Sequence, residues 1–294
     1  MVLIPRLGEV QVDRRPISAT DPLFVQISTH SAESGIAGAD LHRHFEFGIL
    51  LRGRMEMSFE EVTLELVPGD VWLVPGYEAH AWRFPGSGAA DHIWIHFDLL
   101  FLPEKDARSV PWLSMFATPA QDRRRARSPE ARRQLLAIGR EMAREAQERL
   151  PLWEEAIRLA LLRCFVILYR EEGGDMPLVA GRSATNKLGQ IMPAVELIHA
   201  KTSQRIDLKS AAAACGFQQT YFSRLFRQTM GVTFARFQLR ARLLRGAHLL
   251  ATSHSPVAAI AEETGFADES HFHRRFAEVY GCSPGEYRRR TQPP

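Results

Sequence analysis

The chain is poor in several things, and each shortage excludes a class. Only three cysteines stand among its 294 residues, Cys164, Cys215 and Cys282, scattered and without metal-ligand spacing. That excludes a disulfide framework and fits reduced thiols packed inside a cytoplasmic protein. No apolar run approaches the ~18 residues that a bilayer crossing needs. The longest candidate, LALLRCFVILY (Leu159–Tyr169), is short and carries Arg163, so no membrane partner is expected. The first residues, MVLIPRLGEV, lack a basic segment followed by an apolar core, so no signal peptide is expected either. With 45% hydrophobic and 24% charged residues, the composition is that of an ordinary globular protein.

The formal net charge is only +3, but it is unevenly spread. From Ser183 onward there are 15 Lys/Arg against 8 Asp/Glu; the first 182 residues hold 22 against 26. A basic C-terminal third beside an acidic remainder suggests a polyanion-binding module joined to something else.

Three regions follow along the chain. Residues 1 to about 100 read as β, with short apolar runs cut by the turn signals LRGR, VPGD, VPGY and FPGSG. DHIWIHFDL (Asp91–Leu99) alternates, placing His92, Trp94, His96 and Asp98 on one face and Ile93, Ile95 and Phe97 on the other. Residues about 128–172 read as two helices, with Ser128 as N-cap and Pro129 at the first helical position. EEGGDMPLVAGRSATNK (171–187) reads as a linker, and residues 188–290 as helical almost throughout.

The last region says nearly the same thing twice. GFQQTYFSRLF begins at Gly216 and GFADESHFHRRF at Gly265. Phe222, Phe226, Gly231 and Phe237 recur fifty residues on as Phe272, Phe276, Gly281 and Tyr287. An Ala-rich stretch precedes each glycine, LKSAAAAC behind Asp207 and VAAIAEET behind Ser255 and Pro256. Each half is therefore a short helix, a Gly-containing turn and a second helix, the helix-turn-helix. In each second helix two Phe residues four apart pack inward. The outward residues are Gln219, Thr220, Tyr221, Ser223, Arg224 and Arg227 in the first, and Ser270, His271, His273, Arg274 and Arg275 in the second. Polar and basic side chains there suit a major groove. Between the halves, TFARFQLRARLLRGAHLLATS (233–253) makes a rod of roughly 28 Å, close to the ~34 Å between successive major grooves. The alternative is a helical bundle whose Phe pairs are core and whose Arg residues are only solvated.

These residues carry a family resemblance. LKSAAAACGFQQTYFSRLFRQTMG, followed by PVAAIAEETGFADESHFHRRFAEVYGCSPGEYRRR, closely resembles the DNA-binding domain of AraC-type transcription regulators. The resemblance implies base contacts from Thr220, Ser223 and Arg224, and from Ser270, His271 and Arg274. It also implies double-stranded promoter DNA and RNA polymerase as partners, a homodimer, and often activation. Three positions depart from the pattern: Gln218 stands for a Ser cap, Phe234 for a common Pro, and Gly246 for a small Ala in the spacer, at a cost of about 1 kcal/mol of helix propensity.

HRHFEFGILLRG (42–53) and PGDVWLVPGYEAH (68–80) resemble the two cupin motifs, the first imperfectly, since the expected Glu falls at about Gly48 or Ile49. One reading is a metal-free pocket for a small polar effector such as a sugar, from His42, His44, Glu46, Arg52, His80, Trp94 and His96. Another is a metal site of His42, His44 and His80, with a metal sensor or cupin dioxygenase as its functional form. A third is a barrel whose His and Trp residues are simply core.

The expected fold is α+β and multidomain: a cupin-like β-barrel or jelly roll at 1–110, a helical hairpin for dimerisation at 111–172 (its alternative being to pack onto the barrel), a linker at 173–187, and a tandem helix-turn-helix at 188–294. The expected function is a DNA-binding regulator that senses a small molecule, with no catalytic residue and no cofactor assigned.

Overall fold

The computed structural model describes residues 23–30, 37–98 apart from 60, 61, 86 and 87, then 115, 116, 120, 123, 126, 128–171, and 190–292 apart from 199, 202 and 231. The proposed linker lies outside the described residues.

Among the described residues, eight antiparallel strands form two four-stranded sheets. One has the order β1 (Leu23–His30), β8 (Ala90–Phe97), β3 (Phe45–Arg52), β6 (Val71–Val74); the other has β2 (Ala37–Asp40), β7 (His80–Arg83), β4 (Met55–Ser58), β5 (Thr63–Leu66). The alternation read in β8 holds. Ile93, Ile95 and Phe97 point to one core, and Trp94 to a second core with Trp72, Trp82, Leu50 and Met57. Both faces of this sheet are buried because something covers each of them.

The outer cover is a helical hairpin, α1 (Pro129–Glu148) and α2 (Trp153–Glu171). Ser128 caps α1 by accepting from the Ala131 N–H, with Pro129 at its first turn. Leu135, Ile138 and Met142 of α1 and Ile157, Leu161, Phe165 and Leu168 of α2 share one core with Phe47, Ile49, Leu73 and Ile95. The approach is close: a Cβ on Gly139 would stand 2.8 Å from Leu51 Cδ2. The apolar stripes from which a dimer surface was expected are therefore spent on the sheet. What remains outward on the hairpin is Leu150, Leu152 and Leu159.

The C-terminal helices are α3 (190–198), α4 (Leu208–Ala214), α5 (Gln219–Met230), α6 (Phe234–Thr252), α7 (Val257–Glu263), α8 (Glu269–Tyr280) and α9 (Pro284–Thr291). Asp207, Thr233, Asp268 and Ser283 each accept the N–H three residues on, capping α4, α6, α8 and α9. The entry to α7 differs from expectation. Pro256 itself occupies the N-cap and no side-chain cap bond forms. Gly216 (φ 71°) and Gly265 (φ 75°) take the left-handed conformation the two turns need. The spacer α6 serves both halves: Phe237 and Ala241 pack with Phe222 and Phe226, while Leu243, Ala247 and Leu250 pack with Phe272 and Phe276.

α6 also meets the β-domain. Tyr77 stacks edge-on against Phe237 at 4.7 Å between ring centroids. Leu41, Ala79 and Ala81 share a core with Leu243 and Ala247. No helix among the described residues is long and apolar enough to cross a membrane.

Candidate nucleic-acid interface and cupin interior

Two helix faces carry the first candidate. On α5 the Phe222 and Phe226 rings are fully buried, which turns Gln219, Thr220, Tyr221, Arg224 and Arg227 outward, with Ser223 half-buried between them. The Arg224 guanidinium lies over the Tyr221 ring, 5.8 Å from its centroid. On α8 the buried Phe272 and Phe276 turn Ser270 and Arg274 outward and leave His271, His273 and Arg275 half-buried. All three are already engaged within the helix: Arg275 Nε donates to His271 Nε2 at 3.4 Å. Arg275 pairs with Glu278 at 2.7 Å and His273 faces Glu269 at 3.3 Å. The two faces are equivalent, one from each half, as the repeat implied.

The second candidate is the space between the sheets. Glu46 on β3 sits at its centre, and its Oε2 faces His42 Nε2 at 3.0 Å, His80 Nε2 at 3.4 Å and His96 Nδ1 at 3.6 Å. Its Oε1 accepts from the Trp72 indole N–H at 2.5 Å. Glycine at 48 makes that bond attainable, because a Cβ there would lie 1.9 Å from Trp72 Cζ2. The place where the cupin motif would put its glutamate is thus filled by an indole ring.

Every member of this cluster is buried. Burial pushes the Glu46 pKa up, but the imidazoles of His80, His42 and His96 outweigh it and hold the carboxyl well below the ordinary range. Burial pulls His80 down, yet the Glu46 carboxylate beside it leaves its pKa raised. Trp94 crosses Trp82 at 4.6 Å and His92 at 4.7 Å. Its buried indole N–H has no hydrogen-bond partner among the described residues.

Of the residues expected to line a pocket, His42, Glu46, His80 and His96 meet at one point, with Trp94 beside them. His44 is buried nearby, but its Nε2 accepts from Arg43 Nε at 2.8 Å. Arg52 is the correction. It is 61% exposed, pairs with Asp91 at 2.7 Å, and stands at the far end of β3. A register irregularity between Leu50 and Arg52 turns it off the Glu46 face. Asp40 and His92 were not among the expected lining residues. Asp40 approaches His42 and His80, their ligand atoms lying within 4.8 Å of one another. The alternation of β8 had already put His92 on the right face, and Asp40 stands two residues before His42 on the same side.

This architecture defines a class, a helix-turn-helix transcription regulator with a cupin domain in front. A helix-turn-helix domain model matches residues 211–290 and a cupin domain model matches residues 29–96. The RCS-specific HTH-type transcriptional activator RclR of Escherichia coli is 36% identical over 85 residues, 29% of this chain and 30% of that protein. The arabinose operon regulatory protein of Salmonella typhimurium is 25% identical over 228 residues, 75% of each chain. In fold, the crystal structure of ToxT from Vibrio cholerae is similar with a TM-score of 0.57 at 12% identity, covering 93% of this chain and 99% of that one. The chain belongs to the AraC-type transcription regulators. It binds DNA, and the proteins it matches are named as regulators.

Proposed function

We propose that this regulator reads two neighbouring major grooves with α5 and α8, and that the ring-lined space of its cupin domain takes a small polar effector. The pairing of the helices carries the first half. Two equivalent faces, bearing Thr220, Ser223, Arg224 and Arg227 on one and Ser270, His271, Arg274 and Arg275 on the other, are joined by a 19-residue spacer, about 28 Å long. Successive grooves lie ~34 Å apart. Selection of sites from a random DNA library with the full chain should return two base blocks about 10 base pairs apart. A single block would leave one of the two helices without a reading role.

The effector class comes from this chain's own interior. The Salmonella relative is named for arabinose, and ToxT has been solved with an unsaturated fatty acid bound. An acyl chain needs an apolar lining. Glu46 among three imidazoles, with the unmatched Trp94 N–H beside them, speaks for a polar ligand. A sugar or related polar metabolite belongs to that class, though without Arg52 as a partner. The regulator acts in the cytoplasm as a homodimer, with RNA polymerase as its partner at the promoter.

A further inference from the structure

We propose that the two helix-turn-helix units are unequal on DNA. The first anchors the chain to the phosphate backbone, above all through Lys209 and Arg227; the second reads bases and adds little ionic affinity. The inference rests on the two-groove reading and divides the work between its halves.

The two units match in backbone but not in charge. Residues 190–230 hold five Lys/Arg and two Asp/Glu, whereas residues 254–292 hold five and six. The difference is built position by position. In the register that pairs Gly216 with Gly265, Lys209 of α4 falls on Ala258 of α7, and Ala213 and Ala214 fall on Glu262 and Glu263. In the register that pairs Phe222 with Phe272, Gln219 of α5 falls on Glu269 of α8, Arg227 on Ala277 and Gln228 on Glu278. One exchange runs the other way, Leu225 to Arg275, and Arg275 is held by Glu278 at 2.7 Å.

The structure widens the gap. In the first unit Lys201, Arg205, Lys209, Arg224 and Arg227 are all exposed, and α5 carries no acidic residue. In the second, Arg275 pairs with Glu278, Arg290 with Glu286, and Arg288 donates to the Ser255 carbonyl at 2.5 Å. Arg274 and Arg289 are left facing outward. An exposed ion pair is weak and opens easily. The carboxylate it frees would then stand beside the phosphates and repel them.

Placement selects the two anchors. In a helix-turn-helix the first helix crosses the DNA backbone, and the N-terminal residues of the second meet the base edges. Lys209 lies on the crossing helix α4. Arg227 lies in the last turn of α5, beyond Arg224, where the helix has left the base edges. A lysine or arginine so placed neutralises phosphates and releases their counterions, which is a salt-dependent and sequence-independent gain.

The test measures affinity of the full chain for the selected operator and for random duplex, between about 50 and 200 mM NaCl. Lys209→Ala combined with Arg227→Ala should flatten the plot of log affinity against log salt by about two. It should weaken operator and random duplex by the same factor. Arg274→Ala combined with Arg289→Ala should flatten the plot by less than about one, and should weaken the operator more than random duplex. All four side chains are exposed, and melting temperatures close to the parent's would show both variants folded. A slope unchanged by the first pair, or an equal flattening by the second, would overturn the proposal. A selected site with one base block would instead refute the two-groove reading, and the slopes alone would still decide where the anchor lies.

Discussion

The guanidinium of Arg240, on the spacer helix α6, donates to the carbonyl of Tyr77 at 3.0 Å. The Tyr77 N–H in turn donates to the His42 carbonyl at 2.7 Å. One peptide unit on either side of Tyr77 therefore links a residue of the buried cluster to the rod that sets the spacing of α5 and α8. Tyr77 holds a left-handed φ of 64°, and Gly76 before it leaves no room for a Cβ, which would lie 2.3 Å from the Arg43 carbonyl. Three residues on, His80 faces the cluster while Ala79 and Ala81 face α6. A shift of His42 or His80 would therefore bear on this turn and, through it, on α6.

Arg240→Met tests that link. Burial pulls the Arg240 pKa down to about 10, so the group stays charged at neutral pH and its removal takes away a charged donor. Loss of the bond leaves the Tyr77 carbonyl without that donor, at about 1–3 kcal/mol. Operator affinity should change without any ligand added, by roughly 5–150-fold, the usual range of coupling between sites. Filter binding or anisotropy on the selected operator would measure it. Unchanged affinity, with unchanged response to ligand, would make the contact structural only.

Arg224→Ala and Arg274→Ala test the reading helices. Each should cost ~1–3 kcal/mol on the best site and relax preference at one base. The two relaxed positions should lie about one helical turn apart. Site selection repeated with each variant measures both effects. A uniform fall on specific and nonspecific DNA would make the arginine a phosphate contact.

The tandem helix-turn-helix was legible because its signals are local. Phe residues four apart, a glycine at each turn and a cap three residues before each bonded N–H all act within one or two helical turns. The cluster was half legible. Strand alternation gives the face of a residue, so His96 and Glu46 could be read, but a bulge resets the count, and Arg52 lies beyond one. The partner of Arg240 stands 163 residues away in sequence, and no pattern around Arg240 announces it. The stripes of α1 and α2 said that something covers them. They left open whether it is a second copy or the sheet, and the sheet takes them.

Gly246 shows a local rule overridden. By helix propensity alone, Gly246→Ala would add about 1 kcal/mol of stability. A Cβ there would stand 2.8 Å from Phe272 Cε2 and 3.0 Å from Cζ. Phe272 is fully buried and packs on Phe266 and Phe276, so the ring has little freedom to yield. Overpacking of this kind costs typically 1–3 kcal/mol. The alanine variant should therefore be no more stable than the parent and up to about 2 kcal/mol less stable. Urea unfolding would read this, and a clear gain in stability would show that α6 can shift away from α8.

For the homodimer proposed above, the contact is expected where the hairpin is still apolar and uncovered. Leu152 is 77% exposed and Leu159 61%. Leu159 lies on α2, Leu152 in the turn before it with a left-handed φ of 68°, and Leu150 (54% exposed) close by in sequence. Exposed leucines of this kind suit a matching apolar surface on a second copy. Neither side chain supports the fold, so Leu152→Glu with Leu159→Glu should leave the melting temperature of the monomer nearly unchanged. Sedimentation velocity should show the dimer lost at concentrations where the parent is dimeric. Operator affinity should fall for a site with two repeats and stay the same for an isolated one, because only the paired site draws on effective concentration. A dimer that survives both charges would place the contact on another face, and these leucines would be plain surface.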